Sequence, residues 1–124
     1  MIDGFEDFTA DINDSELEVV NLIAKGLNAR VGKHRAINNA EMRMLLYKNK
    51  GITINDAKLR RYIQYIRAYR LVSMLCASKK GYWVAATKEE WIQYREGFRS
   101  RMRSMNFTLL CMDLDAVEGN VIKS

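Results

Sequence analysis

Ile54-Asn-Asp-Ala-Lys-Leu-Arg-Arg-Tyr-Ile-Gln-Tyr-Ile-Arg-Ala-Tyr-Arg70 leads into Leu71-Val-Ser-Met-Leu-Cys-Ala-Ser78, then Lys79-Lys80-Gly81, then Tyr82-Trp-Val-Ala-Ala86. The first segment has helical periodicity. Leu59, Tyr62, Ile63, Ile66, Tyr69 and Arg70 fall on one side, with Leu59, Ile63 and Ile66 at its centre. At about 100° per residue the opposite side is Ala57, Arg60, Arg61, Gln64 and Ala68, flanked by Lys58, Tyr65 and Arg67. The two later segments are rich in strand formers, and Ser78-Lys79-Lys80-Gly81 between them is a tight turn whose glycine supplies positive φ. A helix with an arginine-bearing polar face, followed by a hairpin with two lysines at its tip, suits a grooved polyanion. The major groove of DNA admits a helix, and each neutralised phosphate releases counterions.

Upstream, a first helix is expected from Asp14 or Ser15, either of which can cap it, with Leu17, Val20, Ala24 and Leu27 as its apolar stripe. Gly26 weakens its end. Arg30-Val-Gly-Lys-His-Arg35 reads as a basic loop in which His34 approaches phosphate, and Ala36-Ile37 as a short strand. Asn38 or Asn39 caps a second helix that turns Met42, Leu45, Leu46 and Tyr47 inward and stops at Gly51. Ile52-Thr-Ile54 is the connecting turn and Asn55 the next cap, which makes a helix-turn-helix. Downstream, Thr87-Lys-Glu-Glu90 is a capping box that opens a long helix. Trp91, Tyr94 and Phe98 are expected to pack on the body. Phe98, Met102, Met105, Leu109, Met112 and Ala116 then alternate in steps of four and three, a seam of about two and a half heptads. This seam pairs with the first helix or with a second subunit, a homodimer that would present two hairpins. Residues after about 113 are expected to fray.

The predicted fold is mainly α with a small β-hairpin, a winged helix-turn-helix with a long C-terminal helix. Its expected organisation is an acidic flexible arm at residues 1–13, the winged-helix domain at 14–104, and the helix end with a tail at 105–124. Over residues 36–104 the pattern resembles winged-helix domains of phage and mobile-element proteins. The resemblance rests on Leu59-Arg60-x-x-Ile63-x-x-Ile66-Arg67, on Gly81-Tyr82-Trp83-Val84-Ala85, and on the similarity of Phe98-Arg99-Ser100-Arg101 to a Leu-x-Ser-Arg stretch. It implies a role in replication or transcription regulation. The chain departs from that pattern in a longer loop before the second helix and a Met-rich final helix.

Charge supports the same reading. The net charge is +5 over 124 residues. The segment 1–24 holds seven acids and no lysine or arginine, whereas 30–103 holds eighteen bases and five acids. Such segregation is what a nucleic-acid face needs. The expected DNA-binding residues are Ala57, Lys58, Arg60, Arg61, Gln64, Arg67, Lys79 and Lys80, and double-stranded DNA is the expected partner. The helix would sit in the major groove with the wing on the backbone. The alternative is a winged-helix module whose basic helix binds an acidic protein, with acidic residues 3–18 masking that face in the free chain. RNA is a weaker candidate, because Tyr62, Tyr69, Tyr82 and Trp83 read as core rather than as a stacking platform.

Catalysis finds no support. The chain shows no glycine-rich phosphate loop, no paired carboxylates on a core helix and no cysteine beside a histidine, so neither catalytic residues, metal ligands nor cofactors are expected. Cys76 and Cys111 lack metal spacing, and Cys76 reads as a buried thiol. No apolar run approaches the roughly 18 residues that span a bilayer, and the acidic start resembles no signal peptide, so no membrane partner and a cytoplasmic location are expected.

Overall fold

The computed structural model describes residues 12–123, with side chains through 116; the predicted acidic arm lies almost wholly outside the described residues. The structure is mainly helical, with one two-stranded antiparallel hairpin and a long C-terminal helix. In chain order the elements are α1 (Asp14–Asn28), a short 3-10 turn (Lys33–Arg35), α2 (Asn39–Lys50), α3 (Asp56–Ala68), β1 (Leu75–Ser78), β2 (Gly81–Val84) and α4 (Lys88–Lys123). The chain divides into two compact units between Thr87 and Lys88.

In the first unit each helix starts on an asparagine in extended backbone. Asn13 accepts from the Glu16 N–H, Asn38 from that of Glu41 and Asn55 from that of Lys58. Asn38 and Glu41 complete a reciprocal capping box. The first cap is therefore Asn13, not Asp14 or Ser15. Both of those lie inside the helix, and the Ser15 hydroxyl donates to Asn13 Oδ1 at 2.8 Å. Gly51 ends α2 in the left-handed region at φ 66°, as its position after Lys48 and Lys50 predicts.

The core is one cluster built from three helices and the hairpin. α1 contributes Val20, Ile23, Ala24 and Leu27; α2 contributes Met42 and Leu46; α3 contributes Leu59, Tyr62, Ile63 and Ile66. Ile23 joins the predicted α1 stripe, and Leu17 only packs at its edge. On α2, Leu45 (38% exposed) and Tyr47 (66% exposed) are not core residues. Met42 and Leu46, four apart, already define the inward line, and residues adjacent to Leu46 are rotated from it by about 100°. Leu45 instead lines an open cleft with Leu22, Gly26 and Met42.

The hairpin pairs Leu75 with Val84, Cys76 with Trp83, Ala77 with Tyr82 and Ser78 with Gly81. The first strand starts at Leu75 rather than Leu71. Leu71 N–H bonds the Ile66 carbonyl and Arg70 N–H that of Arg67, with Arg70 at φ 56°. This is a Schellman-type stop with arginine in the place glycine usually takes, and residues 71–74 are spent on reversing the chain. Tyr69, placed on the core side by periodicity, is instead 48% exposed and meets the Tyr65 ring in a tilted contact with centroids 4.4 Å apart. The outer edge of β2 is covered by the segment before α2. Ile37 and Tyr82 exchange two backbone hydrogen bonds (3.0 and 2.8 Å), and Val31 bridges Val84. The short strand expected at Ala36-Ile37 is thus a single bridge at Ile37.

The second unit is α4. It begins at Lys88, immediately after Thr87, with Glu89 and Glu90 in its first turn, where carboxylates favour the helix dipole. Along their own helix Trp91 stacks on Tyr94 at 5.7 Å between centroids, and Tyr94 meets Phe98 in a tilted contact at 6.5 Å. The described backbone is helical through Lys123, past the point at about 113 where fraying is expected.

Candidate nucleic-acid interface

α3 leaves α2 through a turn held from outside: Arg43 Nε donates to the Ile54 carbonyl at 2.9 Å. Asn39 Nδ2, at the start of α2, donates to Asp56 Oδ1 at the start of α3 at 3.0 Å. These bonds bring the two helix starts together. The hairpin closes against the same place, because Gly81 lets its backbone pass directly over the Ile37 carbonyl. A Cβ at Gly81 would overlap that carbonyl and lie 2.5 Å from Asn38 N.

The result is an open groove of about 410 Å³, lined by Asn38, Asn39 and Ala40, by Asp56 and Arg60, and by Ala77, Ser78, Lys79, Gly81 and Tyr82. Arg60 meets Asp56 at 3.1 Å, with both side chains well exposed, so this pair exchanges readily with another anion. Lys79 and Lys80 are the exposed tip, and Lys80 N–H is held by Ser78 Oγ at 3.1 Å.

The six predicted site residues on α3 separate into three groups. Ala57, Arg60 and Gln64 are exposed on the outward face of α3. Lys58, which is also exposed, and Arg61 lie close enough to α1 for both charges to act on Glu16; Arg61 is half-buried, with Nε and Nη2 shielded from solvent. The Tyr62 hydroxyl donates to Glu16 Oε2 at 2.6 Å. That bond, then the charges of Lys58 and Arg61, hold the Glu16 carboxyl below its usual range. Burial, reinforced by Glu16, pushes the Tyr62 phenol well above its usual range. Arg67 belongs to neither face: its guanidinium donates to the Leu75 carbonyl at 2.7 Å and ties α3 to β1.

Sequence reasoning missed Asn39, Asp56 and Ser78 as lining residues. The tandem Asn38-Asn39 carried a signal for the first, since one asparagine suffices to cap and the other is left to reach across. His34 sits exposed in the 3-10 turn, and Lys33 Nζ lies 5.6 Å from the Trp83 ring centroid. Among the described residues no group of three potential metal ligands is close enough to hold an ion, and no helix is long and apolar enough to cross a membrane. No protein-family model matches this chain, and no curated protein or solved structure matches it either.

Proposed function

We propose that the chain is a non-catalytic double-stranded DNA-binding protein of winged-helix type, with α3 entering the major groove and the hairpin tip on the backbone. The observation that carries this reading is the convergence of Arg60 and Lys79 on one open groove, beside the exposed Ala57 and Gln64. Arginine offers two parallel donors to guanine and glutamine a donor–acceptor pair to adenine, while alanine permits close approach. The resemblance of residues 36–104 to phage and mobile-element domains suggests work in replication or transcription regulation, inside the cell that makes the protein.

Affinity for random duplex and random single strand, measured across a salt series, tests the reading. Tight, steeply salt-dependent binding of duplex alone is expected. Arg60→Ala with Gln64→Ala should cost on the order of 1–3 kcal/mol at each site on a preferred sequence and flatten the preference. Lys79→Ala and Lys80→Ala should weaken every sequence alike and lower the salt slope by about one unit for each phosphate left without its lysine. Duplex binding unchanged by all four substitutions would refute the assignment. Binding of acidic proteins in place of DNA would establish the alternative, an interaction module.

A further inference from the structure

α4 is 36 residues long. Its seam is uncovered: Phe98 is 49% exposed, Met102 50%, Met105 70%, Leu109 55% and Met112 61%. A helix with so much exposed apolar surface is unfavourable in water, and helices draw most of their stability from packing. A seam in steps of four and three matches a second helix carrying the same repeat.

The charges beside the seam say which helix and in which direction. Arg99 and Arg101 flank its first half, and Asp113 and Asp115 flank its second half at the corresponding heptad positions. Parallel pairing would gather the arginines of both chains at one end and the aspartates at the other, with no opposite-charge pair between them. Antiparallel pairing does the opposite. With Met105 packed opposite Leu109 of a second copy, Met102 meets Met112 and Phe98 meets Ala116. In that register Arg99 faces Asp113 of the second copy and Arg101 faces its Asp115. The two-fold axis repeats both pairs at the other end, as an isologous interface requires. The existing interactions of these arginines do not compete strongly. Arg99 meets Glu96 at 3.4 Å with both side chains about half exposed, and Arg101 lies over the Phe98 ring at 5.4 Å.

We propose that α4 is a self-association helix that pairs antiparallel with a second copy of this chain, its register fixed by Arg99–Asp113 and Arg101–Asp115 ion pairs. A second apolar stripe, Phe107, Leu110 and Leu114, is carried on the far side of each helix and stays outside this seam.

Sedimentation equilibrium of the full chain should show association. The double variants R99D/R101D and D113R/D115R should each weaken it by about tenfold or more, since like charges then face each other. The quadruple variant carrying both exchanges restores complementarity and should return the dissociation constant to near the wild-type value. Orientation is read separately by oxidation in a C111S background. Asn106→Cys, close to its own mate only in the antiparallel register, should form a disulfide-linked dimer. Phe98→Cys should not, since its mate would lie roughly 25 Å away along the axis. A wild type that sediments as a concentration-independent monomer would overturn the proposal. So would indifference to charge exchange, or cross-linking through Phe98→Cys in place of Asn106→Cys.

Discussion

Gly81→Ala should destabilise the first unit by about 3–5 kcal/mol, enough to leave a domain of ordinary stability largely unfolded on modest warming. Two effects act together. Gly81 has φ 118°, where an L side chain costs on the order of 1–3 kcal/mol. The added methyl would also fall on the Ile37 carbonyl, a backbone group that cannot rotate aside as a side chain can. Relief requires moving Ile37 off β2, which puts both Ile37–Tyr82 hydrogen bonds at risk, each worth about 1 kcal/mol net. The control is Gly26→Ala. That glycine lies inside α1 with nothing within 4 Å of its missing Cβ, so alanine should stabilise by about 0.5–1 kcal/mol. Urea titrations followed by far-UV circular dichroism check both. Equal midpoints for the two variants would contradict the close approach over Ile37.

Tyr62→Ala should cost about 3–5 kcal/mol, since it empties the largest fully buried side-chain site in the core, 1% exposed. Tyr62→Phe keeps the ring and isolates the hydroxyl, and its signature is in pH rather than in size. The folded Tyr62 phenol titrates higher than the unfolded one. Its contribution is therefore complete below the usual tyrosine pKa of about 10 and is lost as pH rises beyond it. The Glu16 carboxyl titrates lower when folded, chiefly through the Tyr62 hydroxyl. Its contribution is present above the usual carboxylate range and is lost as pH falls through the lowered folded value. The difference in melting temperature between wild type and Tyr62→Phe should thus be widest near neutrality and narrow in both acid and alkali. A difference independent of pH would mean that Glu16 and Tyr62 are not linked in solution.

Local chemistry was legible in the sequence. Asn55, Gly51 and the buried stripe of α3 follow from capping and periodicity, and the hairpin from its lysine turn and glycine. What escaped depends on partners distant in sequence or on conformations that most residues avoid. Arg70 reverses the chain in a left-handed conformation that carries no glycine to announce it, and so β1 starts four residues later than propensity suggests. Arg67 looked like another cation of the polar face until the fold brought the Leu75 carbonyl beneath it. The Glu16–Tyr62 bond joins residues 46 apart, and it fixes the Glu16 carboxylate where the charges of Lys58 and Arg61 act on it. Gly81 was expected for its torsion, whereas the stronger reason is the backbone lying above it.

The tie from Arg67 to the Leu75 carbonyl has a mechanical consequence. Together with the Ile37–Tyr82 bridge and the Asn39–Asp56 bond, it joins α3, the hairpin and the start of α2 into a caliper of fixed span. If, as proposed, α3 enters the major groove and Lys79 meets the backbone, a duplex that does not match this span would itself have to widen, bend or twist. The deformation would then fall on the nucleic acid, and flexible steps such as TA and CA cost less to distort than stiff ones. Preference among sequences would accordingly extend to base pairs that no side chain touches.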